Sequence, residues 1–381
     1  MCEIFGFERE TVLERKSGDT VDEILRQPDV WKSIYGKIVL RKEEIKNFIM
    51  KIGKDTRVIF TGAGSSGFIG DALAPLVRKE LGFNHVESIH TTDIVANPEQ
   101  YLIKDIETLL ISFGRSGNSP ESVAAIQLAE KMIDNVFHIV ITCNSQGELA
   151  GITNERTLNF KFDEAHDNGF AMTSSTSGML LAAYSILNSS EDLSKPVDTV
   201  ANYAEAVIES KQRMIASAYQ KHVDRMVVLG AGNLFGIARE SALKLLELTA
   251  GKIISRYDTP MGFRHGPKAM LTPNTVIMYF VSNNEYTQKY DMDMIRELSQ
   301  SRKHKLLIVS DQYDAKIKEL ADIYVFNSEQ EKLTDAFTFF IPLLVAQIFA
   351  LYASLQLGCT PDNPFPSGEV NKVVQGVSIH I

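Results

Sequence analysis

RVIFTGAGSSGFIGDAL, residues 57–73, decides how this chain folds. Arg57 to Thr61 is an apolar run of strand length, Gly62 and Gly64 make a tight turn, and a helical pattern follows to about Leu81. Strand, glycine turn and helix in that order open a parallel α/β unit. The stretch then returns. RMVVLGAGNLFGIARESAL, residues 225–243, repeats it about 168 residues later, with Gly230 and Gly232 answering to Gly62 and Gly64. At almost the same offset, HIVITCNS (138–145) is answered by LLIVSDQ (306–312), and LLISFGRSGNS (109–119) by VIMYFVSNNEY (276–286). Three matched elements at one offset mark a tandem duplication.

Between these elements the first copy predicts strands near 86–90, 107–113, 137–142 and 158–162, with a helix over 120–132. Short Gly/Ser-rich turns join them, so each copy reads as a parallel sheet flanked by helices. The apolar spacing of Val21, Ile24, Trp31, Ile34, Ile38, Ile45 and Phe48 predicts amphipathic helices ahead of the first copy. The expected organisation is a helical segment over 1–53, a first domain over 54–195, a second over 205–360 and a tail over 361–381. SSEDLSKPVDT (189–199) reads as the linker.

The bulk numbers exclude several classes of function. The 381 residues suffice for two domains with a core each, and 44% hydrophobic with 23% charged residues is the composition of a soluble globular protein. A net charge of −9 without a basic cluster argues against a nucleic-acid partner. Cys2, Cys143 and Cys359 are far apart and lack metal-ligand spacing, which favours a reducing, cytoplasmic setting and no structural metal. The charged N-terminus MCEIFGFERE is no signal peptide. Met1-Cys2 matches the start of N-terminal-nucleophile glutaminases, but such a domain does not fit before the strand-glycine turn at residue 62, so Cys2 reads as an ordinary tail residue. Residues 337–357 run uncharged for a membrane-spanning length, yet Pro342, Gln347, Ser354 and Gln356 interrupt them and no basic flank follows. The expectation is a helix buried in the protein or at a subunit contact, with no membrane partner.

Gly62, Gly64 and Gly67 satisfy the GxGxxG pattern of dinucleotide-binding folds, and Asp93 lies near the distance of a ribose-binding acid. The second copy breaks that pattern with Phe235 in place of the third glycine, and a lone GxGxxG is weak. The first copy instead adds Ser65 and Ser66 at the turn and a second hydroxyl-rich turn, Arg115-Ser116-Gly117-Asn118-Ser119, on a later strand. Hydroxyls, helix N-termini and an arginine together suit a phosphate monoester. Each serine alone could equally cap a helix. The second copy has SNNEYT (282–287) in place of the second turn, so one binding site per chain is expected. Further along, Thr173 and Ser174 stand where they could meet sugar hydroxyls, as could Gly64, although Thr173 to Ser175 could also form an N-cap.

GAGSSG, SGNSPES and the duplicated unit together resemble the sugar isomerase (SIS) domain family in its double form, over roughly residues 40–381. The resemblance implies an α/β fold of two tandem SIS domains, each doubly wound and flavodoxin-like. ARESALKLLEL (238–248) and FRHGPK (263–268) are similar to the signature of the isomerase half of glucosamine-6-phosphate synthase. DNPFPSGEVNKVVQGV (362–377) and SGNSPES look closer to the branch of tagatose-6-phosphate ketose/aldose isomerases, also described as galactosamine-6-phosphate deaminases. On that resemblance Ser65, Ser66, Arg115, Ser116 and Ser119 bind phosphate, Glu247 is the catalytic base and Lys244 its helix neighbour. His265 assists ring opening from a second subunit, and Lys372 resembles a C-terminal lysine that forms a Schiff base with a ketose. The implied partners are a small sugar phosphate and a second copy of the chain, with no metal or organic cofactor. Extra residues between Pro364 and Lys372 loosen the last match, and without a glutaminase domain no ammonia is channelled from glutamine.

The residues also argue for themselves. Glu240, Lys244 and Glu247 fall at i, i+4 and i+7, one stripe of a helix, which is either a solvated ion-pair ladder or a charged edge facing a cleft. His265 lies in a Gly- and Pro-bounded loop, where an imidazole can move protons near neutral pH. The reaction that the resemblance implies takes galactosamine 6-phosphate to tagatose 6-phosphate and ammonium. Plain tagatose-6-phosphate isomerisation and glucosamine-6-phosphate deamination remain alternatives. A sugar-phosphate sensor would keep the serine turns without needing Glu247 or His265.

Overall fold

The computed structural model describes residues 3–4, 7–301, 303–328, 332–374 and 376–380. Cys2 lies outside the described residues. A short antiparallel hairpin, β1 (Glu3–Ile4) with β2 (Phe7–Glu8), precedes the helices Arg9–Glu14, Gly18–Leu25, Gln27–Leu40 and Lys42–Ile49.

Two five-stranded sheets follow. The first contains β3 (Arg57–Thr61), β4 (Val86–Ser88), β5 (Thr108–Gly114), β6 (Val136–Thr142) and β7 (Thr157–Lys161), in the order β4-β3-β5-β6-β7. The second contains β8 (Arg225–Gly230), β9 (Ile254–Asp258), β10 (Thr275–Phe280), β11 (Lys305–Gln312) and β12 (Ile323–Ser328), in the order β12-β11-β10-β8-β9. Every neighbouring pair in both sheets is parallel. Both orders are the doubly wound, flavodoxin-like arrangement, with the first strand inside and the chain reversing direction across the sheet after the second. The duplication reaches the register. Arg57 pairs with Thr108, and its counterpart Arg225 pairs with Thr275.

The strands are continuous apolar runs because helices cover both faces. All of β5, β6 and β10 is buried. In the first sheet Ile59, Leu110 and Val140 meet Ala125, Leu128 and Ala129 of the helix Pro120–Met132. In the second, Val227, Leu229, Ile277 and Tyr279 meet Phe263 and Met294, Ile295 and Leu298 of the helix Glu285–Ser301. Truncating any one such aliphatic to alanine costs about 2–5 kcal/mol.

The glycine turns are required by geometry. Gly64 and Gly232 hold φ of 56° and 58°, a region that side chains disfavour. A Cβ on Gly62 would lie 2.6 Å from the Cβ of Ser66, and one on Gly230 would lie 2.5 Å from the Leu234 carbonyl oxygen.

The compact units do not follow the linear partition. One contains residues 1–28, 168–173 and 198–366, and the other 29–167, 174–197 and 367–381. Local bonds explain the difference. The Asp362 carboxylate accepts from Thr20 N at 2.8 Å and Thr20 Oγ1 at 2.7 Å, which ties the helix Gly18–Leu25 to the start of the tail, in the same unit as the second copy. Trp31 donates its indole N–H to Ser177 Oγ at 2.8 Å, which ties the next helix to the first. The end of the tail joins the first copy through Lys372, described below.

The span Asp335–Gln356, with mean hydropathy 2.0, is long and apolar enough to cross a membrane, and 94% of its most apolar window is buried within the protein. Its polar positions have protein partners. Gln347 Oε1 accepts from Gln27 Nε2 at 2.7 Å, and Ser354 Oγ donates to the Leu248 carbonyl at 2.5 Å. The helix Phe340–Gln356 packs on the helix Leu234–Leu248 inside one unit.

Candidate functional site

Strand order reverses between β3 and β5, which opens a crevice at their C-terminal ends. The turn 62–66 leaves β3 there and the turn 114–119 leaves β5. Gly64, which has no side chain, is the N-cap of the helix Ser65–Glu80, and Ser119, whose side chain makes no cap bond, is the N-cap of the helix Pro120–Met132. The Ser119 hydroxyl donates instead to Glu121 Oε2 at 2.7 Å. Helix capping therefore does not account for Ser119, while Ser65 and Ser66 sit buried in the first turn of their helix. Both helix N-termini direct backbone N–H groups and positive dipole ends at the crevice.

The second turn is held rigid. Gly117 has φ of 66°, and its carbonyl accepts from Leu149 N at 2.9 Å. Asn144 Nδ2 donates to the Ser116 carbonyl at 2.8 Å, and Glu148 N donates to Asn118 Oδ1 at 2.9 Å. Ser116 Oγ accepts from Asn118 N at 3.2 Å.

The tail meets this turn. Arg115, only 7% exposed, donates through Nη2 to the Lys372 carbonyl at 2.8 Å, and Lys372 Nζ donates to the Asp167 carbonyl at 2.7 Å. Lys372 thus meets Arg115, one of the predicted phosphate residues, despite the extra residues in the tail. The Asp167 carboxylate accepts from Ser174 N at 3.0 Å and Ser174 Oγ at 2.8 Å, and from Ser175 N at 3.0 Å and the Ser175 hydroxyl. The Ser174 hydroxyl, expected to meet a sugar, is fully buried and bonded to Asp167 at the start of the helix Ser174–Leu187. Thr173 is equally buried and belongs to the other compact unit. Gly64 is exposed at its turn.

His166 and Asp167 escaped the sequence reading, as did Asn144. His166 Nδ1 lies 3.1 Å from the Cys143 carbonyl. A carbonyl only accepts, so Nδ1 carries the hydrogen and Nε2 is the basic nitrogen. Burial above all, then the Lys372 charge, holds the imidazole pKa below its ordinary value, and the Cys143 bond only partly opposes this. The signal was present in DEAHDNG after an edge strand, but Asp, His and Asn are also common turn formers.

In the second copy the charged stripe is buried. Lys244 Nζ lies 3.3 Å from Glu240 Oε1 and 2.6 Å from Glu247 Oε2, and the three side chains are 0%, 1% and 23% exposed. A solvated ladder does not fit these numbers. Burial alone would lower the Lys244 pKa, but Glu240 and Glu247 outweigh it and the value is raised. The ammonium stays charged and fixes the half-buried carboxylate of Glu247. His265 is exposed on the loop after the helix Pro260–Phe263. Right-handed crossovers put the helix Leu234–Leu248 and the segment after β9 on opposite faces of the second sheet, so Glu247 and His265 of one chain stand on opposite sides of it.

Residues 51–189 and 219–355 match the family model described as SIS domain. The chain is 38% identical over 369 residues to the D-galactosamine-6-phosphate deaminase of Shewanella sp. (strain ANA-3), covering 95% of this chain and 91% of that one. It is 40% identical over 375 residues to a D-galactosamine-6-phosphate deaminase of Escherichia coli, covering 95% of each. The solved structure of the Escherichia coli tagatose-6-phosphate ketose/aldose isomerase superimposes with a TM-score of 0.87 at 37% identity, over 95% of this chain and 96% of that one. Two copies of one domain model, one in each α/β unit, and relatives alike over nearly their whole length lead to one statement: the chain belongs to the SIS domain family.

Proposed function

We propose that this protein is a cytoplasmic amino-sugar-phosphate deaminase and isomerase that converts galactosamine 6-phosphate to tagatose 6-phosphate and ammonium. The crevice between β3 and β5 carries the reading. Two helix N-termini without side-chain caps, Ser65, Ser66, Ser116, Ser119 and a buried arginine form a cradle for a phosphate monoester. Two relatives near 40% identity bear the name D-galactosamine-6-phosphate deaminase, which supports the choice of sugar. Phosphate anchoring supplies binding energy remote from the reacting carbons.

Glu247, oriented by Lys244, takes the C2 proton of the open-chain amino sugar and returns it at C1 through an enolamine. The C2 imine is then hydrolysed. His265 opens the sugar ring in the site of a partner copy, and its exposure, on the face of the sheet opposite Glu247, supports a homodimer. Lys372, bonded through its carbonyl to Arg115, brings an amine to the cradle.

Plain ketose/aldose isomerisation of tagatose 6-phosphate uses the same base and is favoured by the name of the Escherichia coli structural relative. The deciding experiment follows ammonium release from galactosamine 6-phosphate and from glucosamine 6-phosphate. Release from the galacto sugar alone is the expected result. With no ammonium from either sugar the deaminase reading falls, and conversion of tagatose 6-phosphate then tests the isomerase.

A further inference from the structure

The phosphate-binding unit holds more than a binding site. Beside the cradle, Arg115 and Lys372 contribute two positive charges, linked by the bond from Arg115 Nη2 to the Lys372 carbonyl. The neighbouring carboxylates are committed elsewhere. Asp167 takes Ser174 and Ser175, Asp163 accepts from Ser145 N at 2.6 Å, Glu164 pairs with Lys37 at 2.6 Å, and Glu121 accepts from Ser119. Cys143 is buried, and burial first, then Asp167, pushes its thiol pKa well up, so it supplies no thiolate. What the cluster offers as a proton acceptor is His166, half-buried on the loop that leaves β7. Its Nδ1–H is anchored on the Cys143 carbonyl at 3.1 Å, which defines Nε2 as the base. The adjacent Asp167 carbonyl receives the Lys372 ammonium at 2.7 Å. A neutral imidazole beside two fixed cations is placed to accept a proton and does not favour keeping it, which is what a shuttle needs.

We propose that His166 is the proton shuttle of the hydrolytic half-reaction, the step that separates deamination from isomerisation. This rests on the deaminase reading above. Water adds through its oxygen to C2 of the protonated imine while one of its protons passes to His166 Nε2. The imidazolium returns that proton to the nitrogen at C2. The C–N bond breaks, the hydroxyl proton leaves with the nitrogen as ammonium, and C2 becomes the ketose carbonyl. No oxidant or further reactant is consumed. Glu247 performs the C2-to-C1 proton transfer before this and is not needed again.

The test separates the two half-reactions in one tube. The full-length protein is incubated with galactosamine 6-phosphate in deuterium oxide. Deuterium entering C2 of recovered substrate reports Glu247, and ammonium reports hydrolysis. In His166→Asn, whose amide can still donate to the Cys143 carbonyl, ammonium release should fall about a hundredfold while C2 exchange falls less than about tenfold. Equal loss of both signals would make His166 a structural residue and overturn the proposal, and so would undiminished ammonium release. If the unsubstituted protein shows neither exchange nor ammonium, the deaminase reading has failed and this proposal with it. Exchange without ammonium in that protein leaves the isomerase and removes any hydrolytic role for His166.

Discussion

The two copies build the same crevice and leave it in opposite conditions. After β5 stand Arg115 and Ser116; at the same register after β10 stand Ser282 and Asn283. In the first copy neither flanking helix has a side-chain cap. In the second, Asn284 Oδ1 accepts from Tyr286 N and Thr287 N at 3.0 Å each, closing the helix end that an anion would use. Asn283 Nδ2 donates to Asp311 Oδ2 at 2.9 Å and to the Leu333 carbonyl at 3.1 Å, and Lys332 Nζ donates to the Asn283 carbonyl at 2.8 Å. The second crevice is filled by its own chain. The second copy's charged group lies instead on the helix Leu234–Leu248, where Glu240, Lys244 and Glu247 are paired and largely buried, and the proposed chemistry is assigned there. Topology supplies a place for a ligand, and the turn side chains decide whether one can enter.

The sharpest way to break this division of labour is Glu247→Gln. If the second copy carries the chemistry and the first the binding, turnover should fall roughly 10²- to 10⁴-fold while substrate affinity measured by calorimetry changes little. Retained turnover would return catalysis to the first copy. His265 tests whether the division extends across two chains. Glu247→Gln and His265→Asn proteins, each inactive alone, should on mixing and exchange of subunits regain about a quarter of the sites of the unsubstituted dimer. No recovery would mean that both residues serve one chain's site.

A matched pair addresses the crevices directly. Arg115→Ala removes charge-assisted bonds and should raise KM about 10- to 100-fold, since such a bond is worth about 1.5–3 kcal/mol. Asn283→Ala at the neighbouring register position of the other copy should leave KM unchanged. It should instead lower unfolding stability by about 1–3 kcal/mol, because buried partners lose their bonds. A KM effect from Asn283 would show the second crevice to be a binding site after all.

The fold was legible because its signals are local and repeated. Apolar strand, glycine turn and helix appear twice at one spacing, and the positive φ at Gly64 and Gly232 explains why both turns keep that glycine. The serine turns and Arg115 stood out in the sequence because a packed core has little use for them, and phosphate binding is their proposed role. The surroundings of Ser174, His166 and Asp167 were not legible. Whether Ser174 meets a sugar or Asp167 depends on a carboxylate seven residues upstream, and hydroxyl-rich sequence is compatible with either. The burial of Lys244 was equally hidden, because an i, i+4, i+7 charge stripe looks the same on a wet helix and a dry one. The tail showed the opposite limit. Lys372 is 257 residues from Arg115, and no spacing rule connects them.

The smallest expected effect concerns how the filled turn is held. Asp291 is fully buried, accepting from Tyr279 Oη at 2.9 Å and from Ser282 N at 3.0 Å. Burial raises its pKa to about 6, although both hydrogen bonds pull the other way. Between the ordinary carboxylate pKa and about 6, the folded protein holds a proton that the unfolded chain releases. The contribution of Asp291 is therefore fully present in acid and is lost as pH rises through about 6, by at most about 3 kcal/mol. Asp291→Asn removes the titration and loses one of the two bonds, worth about 1 kcal/mol. Thermal unfolding followed from pH 4.5 to pH 7.5 should show the unsubstituted protein ahead at the acid end and the variant level or ahead at the neutral end, with KM for the substrate unmoved throughout. A difference that stays flat with pH would mean that Asp291 is ionised throughout the range. The turn after β10 would then rest on a buried charge, and its contrast with the turn after β5, held by Asn144 and backbone amides, would be greater than the hydrogen bonds alone suggest.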